Sequence, residues 1–360
     1  METIDPVPAF QADTPEKTAA QAVMFANRLD KLSKHLRKWA RRTGTTCYRL
    51  YDKDIPEIPL AVDLYQMSGS GDKYLHIALY ERPYEKAEED EIVWMDSMRD
   101  ASSAILDIPH ERIFTKIRRR QRGEESQYER VSHAGGRIIV EEHGSKFIVN
   151  LSDYLDTGIY LDHRPAHLMV RSESEGRRVL NLFSYTGAFS VHAAAGGAVH
   201  VTSVDMSKTY LAWAAENLTM NGFRTDPPYA GHTPPPGRIM QPKWPCVHSD
   251  VKAFLAGAKR TEEKWDLIIC DPPTFSNSKR SAENLDLNRD WADLCRTCLA
   301  LLSPGGTLYF STNSRSLKFD PDLIGGAATR AGVTITDLSA QSVPEDFRNK
   351  NIHRLWKIVI

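Results

Sequence analysis

The segment VLNLFSYTGAFS, residues 179–190, decides the fold class of this chain. Its largely apolar first half, 179–183, predicts a short buried strand, and the small residues after Gly187 predict a helix that follows directly behind a tight turn. In a doubly wound α/β sheet a ligand binds at such carboxyl ends of strands, where backbone N–H groups at the helix start approach it closely. The cofactor-binding candidates in this segment are Asn181, Phe183, Ser184, Tyr185, Thr186 and Gly187.

Strands alternate with helical stretches after Thr157, which predicts a mainly parallel sheet with crossover helices. The second strand, 199–204, ends at Asp205, roughly where a carboxylate meets both ribose hydroxyls of a cofactor. Farther along, Asp250 could accept a hydrogen bond from an adenine amine while Met206 packs on the ring. Each aspartate could instead cap the helix that follows it, and the sequence leaves both interpretations open. One firmly placed glycine argues against the three-glycine dinucleotide fingerprint of NAD enzymes.

The most specific motif is WDLIICDPPTF, residues 265–275, in which a buried strand runs directly into two prolines. The prolines stiffen the backbone, so that Asp271 can be held at the reacting end of a cofactor while Phe275 offers a stacking face. The segment resembles the Asp/Asn-Pro-Pro-aromatic motif of methyltransferases that act on nitrogen atoms of bases. The catalytic candidates are therefore Asp271, Pro272, Pro273 and Phe275, and Asp271 is also a candidate cofactor contact.

Three regions follow from this pattern: a disordered arm at 1–14, a smaller mixed α/β accessory domain at 15–156 and the larger domain at 157–360. The accessory domain begins with a predicted helix, Pro15–Arg42, that carries an apolar stripe and a basic remainder. Strands are predicted at 48–51, 60–66, 74–80 and 137–150. Its second basic cluster includes Arg118, Arg119 and Arg120, and both clusters are either solvated or in contact with RNA phosphates.

The composition is that of a packed protein without a strong global charge. The 360 residues include 46 basic and 47 acidic side chains, so any affinity for RNA has to come from local surfaces. Five scattered cysteines fit a reducing compartment better than a disulfide framework, and no apolar run reaches the roughly eighteen residues of a membrane span. We therefore expect an unprocessed, soluble, cytoplasmic protein with no membrane partner.

With these motifs in place, the chain resembles the guanine-N7 methyltransferase half of the bacterial bifunctional 23S ribosomal RNA methyltransferase. The resemblance rests on residues 47–52, 154–158 with 161–164, 181–187, 271–279, and 346–349 with 352–353. It implies a Rossmann-like class I methyltransferase fold, S-adenosylmethionine as donor with S-adenosylhomocysteine as product, and 7-methylguanosine formed in large-subunit ribosomal RNA or in a preribosomal particle. The candidates for binding this substrate are Arg164, Lys279, Arg348, His353 and the basic cluster Arg118, Arg119 and Arg120.

Two departures from that family concern substrate delivery: the partner half is absent, and the proline-rich insertion 225–245 is longer than expected. A separate protein in place of the missing half is one expectation. A cytosine C5 methyltransferase would need a nucleophilic cysteine after the Pro-Pro pair, and none follows it. The sequence also leaves open a methyltransferase with a non-RNA substrate and an RNA-binding protein without catalysis. No metal is expected. Cys295 and Cys298 form a single Cys-x-x-Cys motif without a second pair of ligands, which indicates core packing.

Overall fold

The computed structural model describes residues 14–80, 86–117, 136–225, 243–276, 285–324 and 333–360. They form two compact units: unit 1 ends at Glu142 and includes Asn150–Thr157, and unit 2 consists of His143–Val149 and Gly158–Ile360. The expected boundary after residue 156 remains a prediction, and the expected arm at 1–14 lies almost wholly outside the described residues. Within the described ranges no helix is long and apolar enough to cross a membrane.

Unit 1 opens with the predicted amphipathic helix. Helix α1 (Pro15–Thr43) has Thr14 as its N-cap and ends at Gly44, whose φ of 65° places it in the left-handed region. The predicted apolar stripe is largely buried, with Leu29 fully buried and Trp39 nearly so. The sequence therefore predicted this helix correctly.

The other elements of unit 1 are β1 (Cys47–Asp52), β2 (Leu60–Gln66), β3 (Lys73–Leu79), α2 (Glu88–Leu106), a 3₁₀ turn (His110–Arg112), β4 (Ile113–Ile117) and β5 (Arg137–Glu142). Four strands form a sheet in the order β1-β2-β3-β4, in which β4 runs parallel to β3 and the other neighbours are antiparallel. Residues 137–150, predicted as one strand, form two, because His143 and Gly144 turn the chain at φ values of 50° and 77°. The mixed α/β character is as predicted.

Unit 2 alternates strands and helices. Its helices are a 3₁₀ turn (Leu161–His163), α3 (Arg164–Ser172), α4 (Ala188–Ala195), α5 (Lys208–Met220), α6 (Val251–Arg260), α7 (Leu287–Ala300), α8 (Pro321–Ile324) and α9 (Ser339–Ser342). Its strands are β6 (Ser145–Asn150, whose last residue belongs to unit 1), β7 (Arg178–Leu182), β8 (His200–Asp205), β9 (Cys246–His248), β10 (Trp265–Cys270), β11 (Phe275–Ser276), β12 (Leu285–Asp286), β13 (Leu302–Thr312), β14 (Thr334–Asp337) and β15 (Arg354–Val359).

Seven of these strands form the central sheet, in the order β14-β15-β13-β10-β7-β8-β9. Strands β13, β10, β7, β8 and β9 are mutually parallel, and β15 runs antiparallel to both of its neighbours. From β7 the chain builds the sheet outward through β8 and β9, then returns to add β10 on the other side. The order of the strands therefore reverses between β7 and β10, which is where ligands bind in open α/β sheets. This confirms the predicted fold class.

A bulge interrupts the pairing of β13 with β10 near the start of β13. Leu302 pairs with Trp265 and Thr307 pairs with Leu267, so residues 303–306 bulge out of the register. Gly305 supports this bulge with a φ of 75°. The strand continues to Thr312, whose neighbour Asn313 reaches the carboxyl edge of the sheet beside β10.

Candidate functional site

The turn after β7 holds an unusual backbone. Phe183 and Tyr185 have φ values of 55° and 49°, in the left-handed region that bulky residues seldom occupy, and Gly187 has a φ of 79°. The Ser184 N–H donates to the Val204 carbonyl at 3.0 Å, which ties the turn to the neighbouring strand β8. Strained residues of this kind concentrate at binding sites, because the surrounding structure has to hold them in place.

Asp205, at the carboxyl end of β8, stabilises this turn. One carboxylate oxygen accepts from the Tyr185 N–H at 2.9 Å and the other from the Ser207 N–H at 2.8 Å. Burial raises the pKa of Asp205, and the two backbone N–H groups act in the opposite direction. The helix cap is a different residue, since the Ser207 hydroxyl accepts from the Tyr210 N–H at 3.3 Å. Each carboxylate oxygen retains a second lone pair that a ribose hydroxyl can use.

The remaining candidates in the β7 turn differ in their surroundings. The side chain of Asn181 donates to Ser190 Oγ at 2.9 Å inside the core, and Thr186 Oγ1 donates to the Gly158 carbonyl. A Cβ on Gly187 would lie 2.8 Å from the Cβ of Ala214, so this glycine permits close packing against α5. These three residues therefore shape the turn from within unit 2.

Ser184 is different, because its buried hydroxyl has no hydrogen-bond partner among the described residues. A buried polar atom without a partner costs about 1–3 kcal/mol. An orphaned hydroxyl beside the place where the strand order reverses fits a polar ligand that accepts or donates there. Ser184 and Asp205 thus offer polar groups of the kind that a nucleoside-containing cofactor needs.

The structure gives Asp250 the capping role that the sequence had left open. Its Oδ1 accepts from the Ala253 N–H at 2.9 Å at the start of α6. The backbone carbonyl of Met206 lies 2.9 Å from His248 Nε2, and the Met206 side chain is partly buried. Contact of either residue with an adenine ring stays a prediction.

The Asp-Pro-Pro segment leaves β10 beside the β7 turn, since Cys270 pairs with Leu182. Pro272 is buried and Pro273 partly buried, while the side chain of Asp271 keeps 26% of its surface exposed. The Thr274 hydroxyl donates to the Asn313 side chain at 2.8 Å, which fastens the segment to the end of β13. Phe275 lies just beyond, with 59% of its surface exposed. The segment therefore presents a carboxylate and an aromatic face together.

Next to Asp271 lies a cluster formed by Asp162, His163 and His353, of which the sequence analysis had named His353 as a substrate-binding candidate. His163 Nδ1 is 3.6 Å from Asp271 Oδ2, and His353 Nδ1 is 2.8 Å from Asp162 Oδ2. The pKa of His353 is lowered, first by burial and then by the neighbouring His163. One ligand atom from each member of the cluster lies within 4.8 Å of the others, a spacing that could hold a metal ion, but Asp162 and Ser342 already occupy both ring nitrogens of His353. The expected lack of a metal stays a prediction.

The predicted substrate-binding residues are distributed unevenly. Arg164 is buried in an ion pair with Asp346, and His353 is 2% exposed, so both lie inside unit 2. Arg348 is exposed. The candidates that fall outside the described residues are Lys279, Arg118, Arg119 and Arg120, together with most of the insertion 225–245.

The cysteines are placed as predicted for core packing. Cys270, Cys295 and Cys298 are fully buried, and burial raises the pKa of the Cys270 and Cys295 thiols. A buried thiol with a raised pKa is a poor nucleophile, because little thiolate forms.

Helix α1 of unit 1 presents a basic face opposite its buried stripe. Four cations on this face are exposed, and in the described ranges none of them forms an ion pair: Lys31, Arg37, Lys38 and Arg41. Asp30 interrupts the positive charge, and its carboxylate is bound to Lys34 at 2.6 Å. This face is called the α1 basic face below.

Comparison with known proteins agrees with this geometry. Residues 117–349 match the S-adenosylmethionine-dependent methyltransferase family. Ribosomal RNA large subunit methyltransferase K of Neisseria meningitidis is 42% identical over 93% of this chain and 86% of its own length. Ribosomal RNA large subunit methyltransferase K/L of Pseudomonas putida is 44% identical over 97% of this chain, which spans only 43% of that longer relative. The crystal structure of the methyltransferase SMU.776, complexed with S-adenosylhomocysteine, covers 94% of this chain and 82% of its own at 24% identity, with a TM-score of 0.68.

Proposed function

The chain belongs to the S-adenosylmethionine-dependent methyltransferase family, and from that premise we propose that it methylates N7 of a guanosine in large-subunit ribosomal RNA. The single observation that carries this proposal is the place where the strand order reverses. There the strained turn after β7 lies next to Asp271 and its two prolines. A binding site for a nucleoside-containing donor would thus lie next to a binding site for a base.

The donor would be held by the turn and by the end of β8. Asp205 would accept from the ribose hydroxyls through its remaining lone pairs, and the orphaned hydroxyl of Ser184 would gain a polar partner. When bound, S-adenosylmethionine supplies a methyl group on a positively charged sulfur. The sequence candidates Met206 and Asp250 would complete the adenine side.

The acceptor base would lie against Asp271 and Phe275. The Asp271 carboxylate would accept hydrogen bonds from the N–H edge of guanine, and the exposed ring of Phe275 would stack on its face. Guanine N7 has an exposed lone pair, so no residue has to remove a proton before the methyl group is transferred. The chain's contribution is alignment and exclusion of water, and a base in a helix would have to be flipped out to reach it.

Two further observations support RNA as the substrate. The relatives from Neisseria meningitidis and Pseudomonas putida carry large-subunit ribosomal RNA in their names. The α1 basic face offers exposed cations at the surface of unit 1, which suits a phosphate backbone. We propose that the accessory domain, 15–156, faces the RNA and that the protein acts in the cytoplasm on free ribosomal RNA or on a preribosomal particle. The chain spans 43% of the Pseudomonas putida relative, and a separate partner protein for the part that it does not span belongs to this proposal.

Competing functions find less support at the site. Cytosine C5 methylation would need a reactive thiol, but Cys270 is buried with a raised pKa. A small-molecule substrate would leave the α1 basic face unexplained, and a protein without catalysis would not need an exposed Phe275 beside Asp271.

The test is to incubate the purified protein with methyl-labelled S-adenosylmethionine and either free ribosomal RNA or preribosomal particles, and to identify the labelled nucleoside by mass spectrometry. Labelled 7-methylguanosine is expected, and a labelled 5-methylcytidine or unlabelled RNA would overturn the proposal. Asp271→Ala should abolish turnover while donor binding, measured by calorimetry, survives. Asp205→Ala should weaken donor binding instead. Loss of donor binding in Asp271→Ala would assign Asp271 to the donor.

A further inference from the structure

His163 lies between two carboxylates. Its Nδ1 is 3.6 Å from Asp271 Oδ2, and its Nε2 is 3.6 Å from Asp162 Oδ2. The ring is buried, with 7% of the residue exposed. Both distances exceed that of a hydrogen bond, yet each would become one if the groups approached by less than about 1 Å, as catalytic contacts often do when substrate binds.

Asp162 and His353, on the side of His163 away from Asp271, are held by hydrogen bonds. Asp162 accepts from His353 Nδ1 at 2.8 Å, and the other ring nitrogen of His353 lies 2.9 Å from the Ser342 hydroxyl. The His353 and His163 rings pack in an edge-to-face contact, with their centroids 4.3 Å apart. Further rings surround His163 from the other elements: Tyr160, His167 and Phe189. These rings pack around the His163 imidazole, whose Nδ1 lies 3.6 Å from Asp271 Oδ2.

Resting on the function proposed above, we propose that His163 is a positioning residue for Asp271. It would bridge Asp162 and Asp271, engage Oδ2 of Asp271, and leave Oδ1 to accept from the N–H edge of the base.

No residue of the donor-binding turn takes part in this bridge, so the effect of removing it should be confined to the acceptor. Misplacing a reacting group by about 1 Å can cost about 10²-fold in rate. His163→Ala should therefore lower the single-turnover rate of methyl transfer by about 10²-fold, with donor affinity within about twofold of the wild type. His163→Gln, whose amide can donate to one carboxylate, should recover part of the rate.

The decisive measurement is a double-mutant cycle with Asp271→Asn, because two residues that act as a unit give non-additive losses. His163→Ala should slow the Asp271→Asn protein by less than about threefold. The matched control is His200→Ala, since His200 lies at the amino end of β8, at the opposite edge of the sheet, and should leave the rate unchanged. The proposal would be overturned if His163→Ala slowed the wild type and the Asp271→Asn protein by the same factor. It would also be overturned if His163→Ala weakened donor binding by as large a factor as it lowered the rate.

The same cycle can be run without turnover. Binding of guanosine 5′-monophosphate to protein saturated with S-adenosylhomocysteine, followed by NMR, should weaken about tenfold in His163→Ala and no further in the double variant. The labelled product of the wild type tests the proposed function separately, because a nucleoside other than 7-methylguanosine would refute that function. The double-mutant cycle of rates would then be measured with the nucleoside that is methylated. If the wild type binds the nucleotide but the losses caused by the two substitutions are additive, only the role of His163 is refuted.

Discussion

Replacing Gly187 with alanine tests whether the turn after β7 is built as described. Gly187 has a φ of 79°, and a Cβ there would lie 2.8 Å from the Cβ and 3.3 Å from the Cα of Ala214. The left-handed backbone costs an L-residue about 1–2 kcal/mol. Forcing a methyl group against the backbone of α5 adds about 1–3 kcal/mol. The expected loss of stability is therefore about 2–5 kcal/mol, or about 4–20 °C in melting temperature for a domain of this size.

Gly176→Ala is the matched control, because Gly176 has a similar φ of 69° but nothing within 4 Å of the added Cβ. It should lose only the backbone contribution of about 1–2 kcal/mol. Thermal unfolding followed by circular dichroism measures both variants. Calorimetry well below the melting temperature should also show weaker donor binding in Gly187→Ala, since the displaced turn carries Ser184. A Gly187→Ala protein that melts no lower than Gly176→Ala would refute the packing argument.

Three further predictions concern single side chains. Asp250→Ala should lose the α6 cap, worth about 1 kcal/mol, whereas Asp250→Ser should keep the cap; weaker donor binding in both variants would indicate an adenine contact, measured by calorimetry. Cys270→Ala should keep methyl transfer within about twofold and destabilise the protein by about 1 kcal/mol, and a hundredfold loss of rate in the folded variant would revive a cysteine mechanism. Because burial lowers the pKa of His353, the unfolded chain takes up a proton below about pH 6.5 that the folded protein resists, so stability should fall as the pH drops through that value. Urea unfolding at several pH values should show a shallower dependence in His353→Gln.

The sequence predicted the helices and strands whose ends are marked by residues close to them in the chain. Thr14, Pro15 and Gly44 mark the ends of α1, and the apolar run before Asp271 marks β10. Pairing between distant strands carries no such signal. The antiparallel β15 lies between β13 and β14, and nothing near Trp356 in the sequence indicates either the direction or the neighbours of that strand.

The same distinction applies to the site. Asp271 and Phe275 could be predicted because one short motif contains both. The pair Asp162 and His353 could not, because 191 positions separate residues that meet only in the folded chain. A basic residue in isolation suggests an RNA contact, whereas Arg164 is buried against Asp346 because burial of a charge requires a partner that only the fold can supply.

Asp205 shows that an aspartate after a strand can order a turn and still offer its carboxylate to a ligand. Its carboxylate accepts from Tyr185, one of the two left-handed bulky residues in the turn, and from Ser207 at the next helix. The carboxylate that orders the turn is thus the one that would receive the ribose. Burial raises its pKa, and the backbone N–H groups reduce this rise without cancelling it. A site assembled in this way is ordered before the donor arrives, so binding has less conformational freedom to remove. It follows that the strained backbone at Phe183 and Tyr185 depends on Asp205. Removing the Asp205 carboxylate would loosen the turn and at the same time remove the group that accepts from the ribose.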